Sequence, residues 1–114
     1  MAARARDIIA VLVTCPNQAV ARRIAEQVVV RRAAACVNIV PGLVSLFWWK
    51  GRVERASEVL LIIKAPAAGF ERLRRLVVSL HPYDVPEVIA LPIRAAHPPY
   101  HQWVARNGGA SPTA

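Results

Sequence analysis

Five side chains could ligate a soft or borderline metal: Cys15, Cys36, His81, His97 and His101. Thiolate and imidazole suit copper and zinc, and Asp84 and Glu87 follow His81 closely, so a mixed Cys, His and carboxylate site is chemically reasonable. The spacing is not that of a prebuilt cluster. No Cys-x-x-Cys occurs, and Pro98-Pro99 makes His97 a helix cap rather than a ligand sharing a face with His101. Cys15 and Cys36 also read as small buried hydrophobes, and His81 as the cation that ends a helix.

Tyr83-Asp84-Val85-Pro86-Glu87 is the densest polar cluster beside an expected strand. A turn explains Pro82, Asp84 and Pro86, whereas Glu87 enters an apolar strand and requires a partner. Glu54, Glu58 and Lys64 also border apolar runs and read as structural ion pairs. No glycine-rich phosphate loop, nucleophile elbow or Ser/His/Asp spacing is present, so no enzymatic activity is expected. Phe47, Trp48 and Trp49 are contiguous and could stack bases. Their flanks are apolar and the arginines lie scattered over helices, so packing or an interface is preferred and no nucleic-acid partner is expected.

The elements that must position these residues follow from periodicity. Asp7 to Thr14 is a buried strand, and Pro16-Asn17 opens a helix whose stripe is Val20, Ile24 and Val28, running to about Ala34. A second strand starts near Cys36, is interrupted at Pro41-Gly42 and resumes from Leu43 to Trp49. Lys50-Gly51 turns the chain into Arg52 to Arg55 and then Glu58 to Lys64. Phe70, Leu73, Val77 and Leu80 line a second helix stopped by His81-Pro82. Val88 to Ile93 is a last strand and Pro99 to Arg106 a terminal helix. Strand, helix, strand, strand, helix, strand is the ferredoxin-like α+β pattern, βαββαβ, with both main helices on one sheet face. Residues 1–107 form one domain and 108–114 have the composition of a flexible tail.

The second sheet face should then alternate apolar and polar, and it does not. Ile8 to Val13, Leu46 to Trp49, Val59 to Ile63 and Val88 to Leu91 are apolar on both faces. About ten such side chains left in water would each forgo about 1.5–3 kcal/mol, against a whole-domain stability of about 5–15 kcal/mol. Self-association through the sheets is therefore expected.

Fifteen Lys and Arg against seven Asp and Glu give a net charge of +8, which leaves anionic partners open without establishing them. The apolar run after Asp7 is too short for a signal-peptide core, and the uncharged stretch from Ala33 to Trp49 is broken by Pro41-Gly42. No membrane span is expected. A cytoplasmic protein with reduced thiols is.

Ala35-Cys36-Val37-Asn38-Ile39, Pro41-Gly42, Ser45-x-Phe47-x-Trp49-x-Gly51-x-Val53-Glu54, Glu58 to Lys64, His81-Pro82-Tyr83, Pro86-Glu87 and Leu91-Pro92-Ile93, with Tyr100 and Trp103, resemble the CutA divalent-cation-tolerance family from Ile9 to Val104. The resemblance implies a ferredoxin-like subunit in a homotrimer whose long strands pack between subunits. It also implies a link to tolerance of copper or another divalent cation, without an organic cofactor. A cysteine and the His of the His-Pro-Tyr segment are the ligands it suggests, so His81, with Asp84 and Cys15, forms the candidate metal set. Two positions depart from the family pattern, Phe47 for a common Tyr and Asp84 for Glu or Gln. The alternative is a signalling trimer with a small molecule in a cleft between subunits, near Cys36, Trp49, Lys64, Tyr83 and Glu87.

Overall fold

The structure is a computed structural model in which residues 7–108 are described. Strand β1 (Ile8–Cys15) leads into helix α1 (Gln18–Val30), then the long strands β2 (Cys36–Trp49) and β3 (Arg52–Pro66). Helix α2 (Phe70–Leu80), strand β4 (Val88–Pro92) and helix α3 (Pro98–Asn107) complete the order. The sheet is antiparallel with strand order β2-β3-β1-β4, which is the expected ferredoxin-like arrangement.

Alternation decides which face is dry. Val11 and Val13 of β1 stand beside Ile63 and Leu61 of β3, and all four pack against Ile24 and Val28 of α1 and Leu73 and Val77 of α2. The helices form because those residues recur at helical spacing, and Asn17 caps α1 by accepting the Val20 amide at 2.9 Å.

Helix α1 stops at Val30 rather than near Ala34. The amides of Ala33 and Ala34 both turn back to the Val28 carbonyl, and Arg32 adopts a left-handed φ of 56°. Ala33 and Ala34 are needed in the core, and Ala35 must donate to the Lys64 carbonyl to start β2 beside β3. Burial there wins over helix propensity. The break expected at Pro41-Gly42 is a bulge inside one continuous strand. Pairing passes from Val40–Leu60 to Leu43–Glu58, so Pro41 and Gly42 together face one residue, and Gly42 takes a φ of 87°. The turn at Lys50-Gly51 has positive φ at both residues, 52° and 75°, the twist-compatible form for a two-residue hairpin.

Strand β1 ends opposite Val59, so residues 43–49 and 52–58 pair only with each other and project as a two-stranded ribbon. One side of that ribbon carries Val44, Leu46, Trp48 and Val53, with Leu46 70%, Trp48 75% and Val53 59% exposed. On the sheet itself, the face opposite α1 and α2 presents Leu12, Leu60 and Ile62, with Ile89 and Leu91 each 48% exposed. Helix α3 reaches only one end of this face, where Val104 is buried. Among the described residues no helix is long and apolar enough to cross a membrane.

Gly108, grouped by composition with the tail, is buried, and its amide donates to the Val104 carbonyl at 3.2 Å. Residues 109–114 of the expected tail lie outside the described residues. A Cβ at Gly108 would fall 2.7 Å from the Ala35 nitrogen and 3.0 Å from Pro66 Cδ. Gly108→Ala is therefore expected to cost about 1–3 kcal/mol by overpacking the junction of α3 with β2, read as a lowered denaturation midpoint at unchanged slope.

Candidate functional site

A cleft of about 730 Å³ opens where the ribbon leaves the sheet and the 81–87 loop crosses the end of β1. The ribbon supplies Phe47, Trp48, Trp49 and Glu54, β1 supplies Thr14, and the loop supplies Tyr83, Asp84 and Glu87. Hairpin register explains the ribbon's share. A two-residue turn pairs Trp49 with Arg52 and Phe47 with Glu54, so one aromatic faces a base and the other an acid on the side that continues the open sheet face.

The loop is clasped to the sheet by two hydrogen bonds and braced by a third within itself. Tyr83 Oη donates to Glu58 Oε2 at 2.8 Å. His81 Nε2 donates to the Thr14 carbonyl at 2.8 Å, and His81 Nδ1 accepts the Tyr83 amide at 3.2 Å, an assignment that makes the ring the neutral Nε2–H tautomer. The His81 and Tyr83 rings are 4.7 Å apart and tilted. Helix α2 ends at His81, as expected, but the ring turns into the protein to hold the loop, and the residue is only 8% exposed.

The candidate metal set is not assembled in the chain. Both His81 nitrogens are engaged by backbone, which leaves no lone pair for an ion unless the clasp opens. Cys15 is buried, and burial first and the Glu58 carboxylate second push its thiol up to about 11, away from the thiolate a metal needs. Asp84 is exposed at the cleft. Among the described residues no group of three or more His, Cys, Asp or Glu is arranged to hold a metal. His81, Asp84 and Cys15 therefore do not fit a resident copper ion within one chain.

The small-molecule set divides in two. Trp49, Tyr83 and Glu87 share the cleft. Cys36 and Lys64 are cross-strand partners six residues beyond Glu58, roughly 20 Å along β3. There Lys64 donates to the Asn38 side-chain carbonyl. Tyr100 lies against the Cys36 thiol and stacks on Trp103 at 5.7 Å, and burial first, then Cys36, raises its phenol. The ion pairs expected for Glu58 and Lys64 are thus replaced by bonds to Tyr83 and Asn38, and Glu87 needs no partner because it is exposed. Sequence reasoning missed Thr14 and Val85 as lining residues. Register counted back from Lys50-Gly51 would have placed Glu54 against Phe47.

These features define a class: ferredoxin-like α+β proteins with an overlong central hairpin and a ligand-sized cleft at its root. The chain matches the profile of the CutA1 divalent ion tolerance protein over residues 9–107, and it belongs to that family. The divalent-cation tolerance protein CutA of Thermus thermophilus is 48% identical over 99 residues, 87% of this chain and 96% of that one. Mouse Protein CutA is 50% identical over 98 residues, 86% of this chain but only 55% of the mouse protein, so the chain spans about half the length of the mammalian relatives. The Thermus structure superposes with a TM-score of 0.87 at 46% identity, covering 89% of this chain and 98% of that one. Rice CutA1 gives a TM-score of 0.87 at 43% identity, covering 90% and 94%.

As pH rises, the unfolded chain loses its Cys15 proton near the ordinary value of 9.0, while the folded chain keeps it until about 11. The stability this burial gives is complete below pH 9.0 and falls as pH climbs toward about 11. Tyr83, pushed up to about 12 by burial and then by Glu58, extends the decline. Denaturation midpoints measured across this range should fall for the wild type and fall less steeply for Cys15→Ala. Equal slopes would contradict the assignment.

Proposed function

We propose that the chain acts as a non-enzymatic homotrimer in divalent-cation tolerance, meeting its ligand at the cleft between the ribbon and the 81–87 loop. The observation that carries this reading is the uncovered apolar surface: Leu46, Trp48 and Val53 on a projecting ribbon, and Ile89 and Leu91 on an open sheet face. A two-stranded ribbon is marginal in water unless something covers it. Ribbon and sheet face are different surfaces, so one copy's ribbon laid on the next copy's sheet is a heterologous contact, the kind that builds a ring when its rotation closes. Three is the number that the family resemblance implies.

Absence of an enzymatic role is supported by the tie-up of His81, which leaves the cleft hydroxyls of Thr14 and Ser45 without an imidazole base. A cytoplasmic site of action is supported by two unpaired cysteines. A relation to copper or another divalent ion is supported by charge placement. Of the seven carboxylates in a chain of net charge +8, four (Glu54, Glu58, Asp84 and Glu87) line this one cleft. Such a site meets a solvated ion weakly and transiently, in contrast to a closed coordination sphere.

One observation favours a second reading, a small organic ligand in the same cleft. Its volume of about 730 Å³ falls in the usual small-molecule range of about 300–1,000 Å³, and Phe47, Trp48 and Trp49 line it.

Light scattering on the eluting protein is expected to give three times the 12.5 kDa chain mass, and Leu46→Glu with Trp48→Glu a smaller species. A stable wild-type monomer would end the assembly reading. Copper and zinc calorimetry should show heat retained in His81→Ala and reduced in Asp84→Asn/Glu87→Gln. Equal heats from wild type and the double variant would remove the cleft as the ion's place.

A further inference from the structure

We propose that the outer surface of the α1/α2 layer is a docking face for the phosphate backbone of duplex nucleic acid, gripped without reading the bases. It goes beyond the cation-tolerance reading and stands whether or not that reading does. The arginines that lie scattered along the sequence are gathered by the fold, because α1 and α2 pack side by side on one sheet face. α1 and the turn after it bring Arg22, Arg23, Arg31 and Arg32, and α2 brings Arg72, Arg74 and Arg75. Only two acids accompany these seven bases on the two helices: Glu26, and Glu71, which is held by Arg74 at 3.0 Å. Four of the seven acids of the chain lie instead at the cleft. The layer thus carries a local excess of five positive charges, whereas at the cleft Arg55 stands among four acids.

Part of this layer is fixed in place. Arg72 of α2 donates to the carbonyls of Arg31 and Arg32 at 2.6 and 3.3 Å, which draws three cations together at the end of α1 while leaving every charge intact. Arg32 occupies a left-handed backbone position, φ 56°, where glycine is the easier residue. Guanidinium forks match phosphate oxygens two at a time. A helix of 13 residues is about 20 Å long and so lies along several phosphates of a duplex, which carries one charge per roughly 1.7 Å of axis.

The partner is narrowed by what the layer lacks. Neither helix presents an exposed aromatic ring, so there is no platform on which the bases of a single strand could stack. Its exposed apolar side chains are Val29, Val30 and Val78, short groups in place of the Trp, Phe and Leu that anchor interfacial helices in a bilayer. No nucleic-acid partner is expected from the sequence, because the arginines lie scattered over the helices and are not interleaved with the aromatics; the fold gathers seven of them on one layer. The arginine layer is on the opposite side from the open sheet face, and a ring built through ribbon and sheet leaves it free.

Fluorescence anisotropy with a labelled duplex of mixed sequence tests this. The wild type is expected to bind at about 50 mM salt and to weaken steeply toward about 200 mM, with a log–log slope of about −3 to −5, and to show no preference between sequences. Arg22→Glu/Arg23→Glu should weaken binding at least about tenfold, whereas Arg94→Glu/Arg106→Glu, which changes net charge equally, should leave it within about threefold. Melting curves and mass must match between the two variants. No binding at about 50 mM, equal weakening by both pairs, or tighter binding to phosphatidylserine vesicles or to inorganic polyphosphate than to duplex would each overturn the proposal.

Discussion

The structure turns on a mismatch of strand lengths. β2 and β3 have 14 and 15 residues, whereas β1 has 8 and β4 has 5, so half of the central hairpin has no sheet beside it. Residues that would be core in a wider sheet, Leu46, Trp48 and Val53 among them, are therefore open. A bulge at Pro41-Gly42 sits where the ribbon begins, and its extra residue increases the local twist and re-aims everything beyond it. The ribbon's direction is thus set by one local irregularity, and the cleft exists only because the ribbon diverges from the 81–87 loop.

What holds the other wall of the cleft is the clasp of His81, Tyr83 and Glu58. Each polar group in it is satisfied: the imidazole by two backbone groups, the phenol by a carboxylate, the carboxylate by the phenol. Glu58 is nearly buried, and a buried carboxylate costs least when a strong donor faces it. This satisfaction is what removes His81 from metal chemistry. A histidine can pin a loop with both nitrogens or offer one to an ion, and here it does the first. Two carboxylates of the loop that this clasp holds, Asp84 and Glu87, stay open at the cleft.

Much of the fold was legible in the sequence because it rests on periodicity. Val20, Ile24 and Val28, or Leu73 and Val77, define buried helix faces whatever the surroundings, and two-faced apolar strands announce an open sheet. Boundaries set by tertiary demand were not legible. α1 stops early because Ala33, Ala34 and Ala35 are claimed by the core and by β3, a fact of three-dimensional neighbours. The site was half legible. Trp49, Tyr83 and Glu87 converge because turn and loop chemistry place them together, whereas Cys36 and Lys64 sit at the far end of the same strand pair. Which nitrogen of His81 is free, or that neither is, depends on the Thr14 carbonyl, and no spacing rule reaches 67 residues back along the chain.

The same geometry sorts charge. Of the four acids at the cleft, Glu54, Asp84 and Glu87 are exposed to water, and the buried Glu58 is held by the Tyr83 hydroxyl. The helical layer faces away and carries no burial requirement on its outer side, so it can accumulate arginine at little cost in folding stability. Like charges on one helix repel only weakly in salt, because exposed pairs beyond about 8–10 Å are screened. Seven of the fifteen Lys and Arg stand on this layer against two acids, so much of the net +8 is carried on a surface turned away from the open sheet face. Position, more than number, decides what those charges can do: seven arginines stand on the helical layer, and four of the chain's seven acids stand at the cleft.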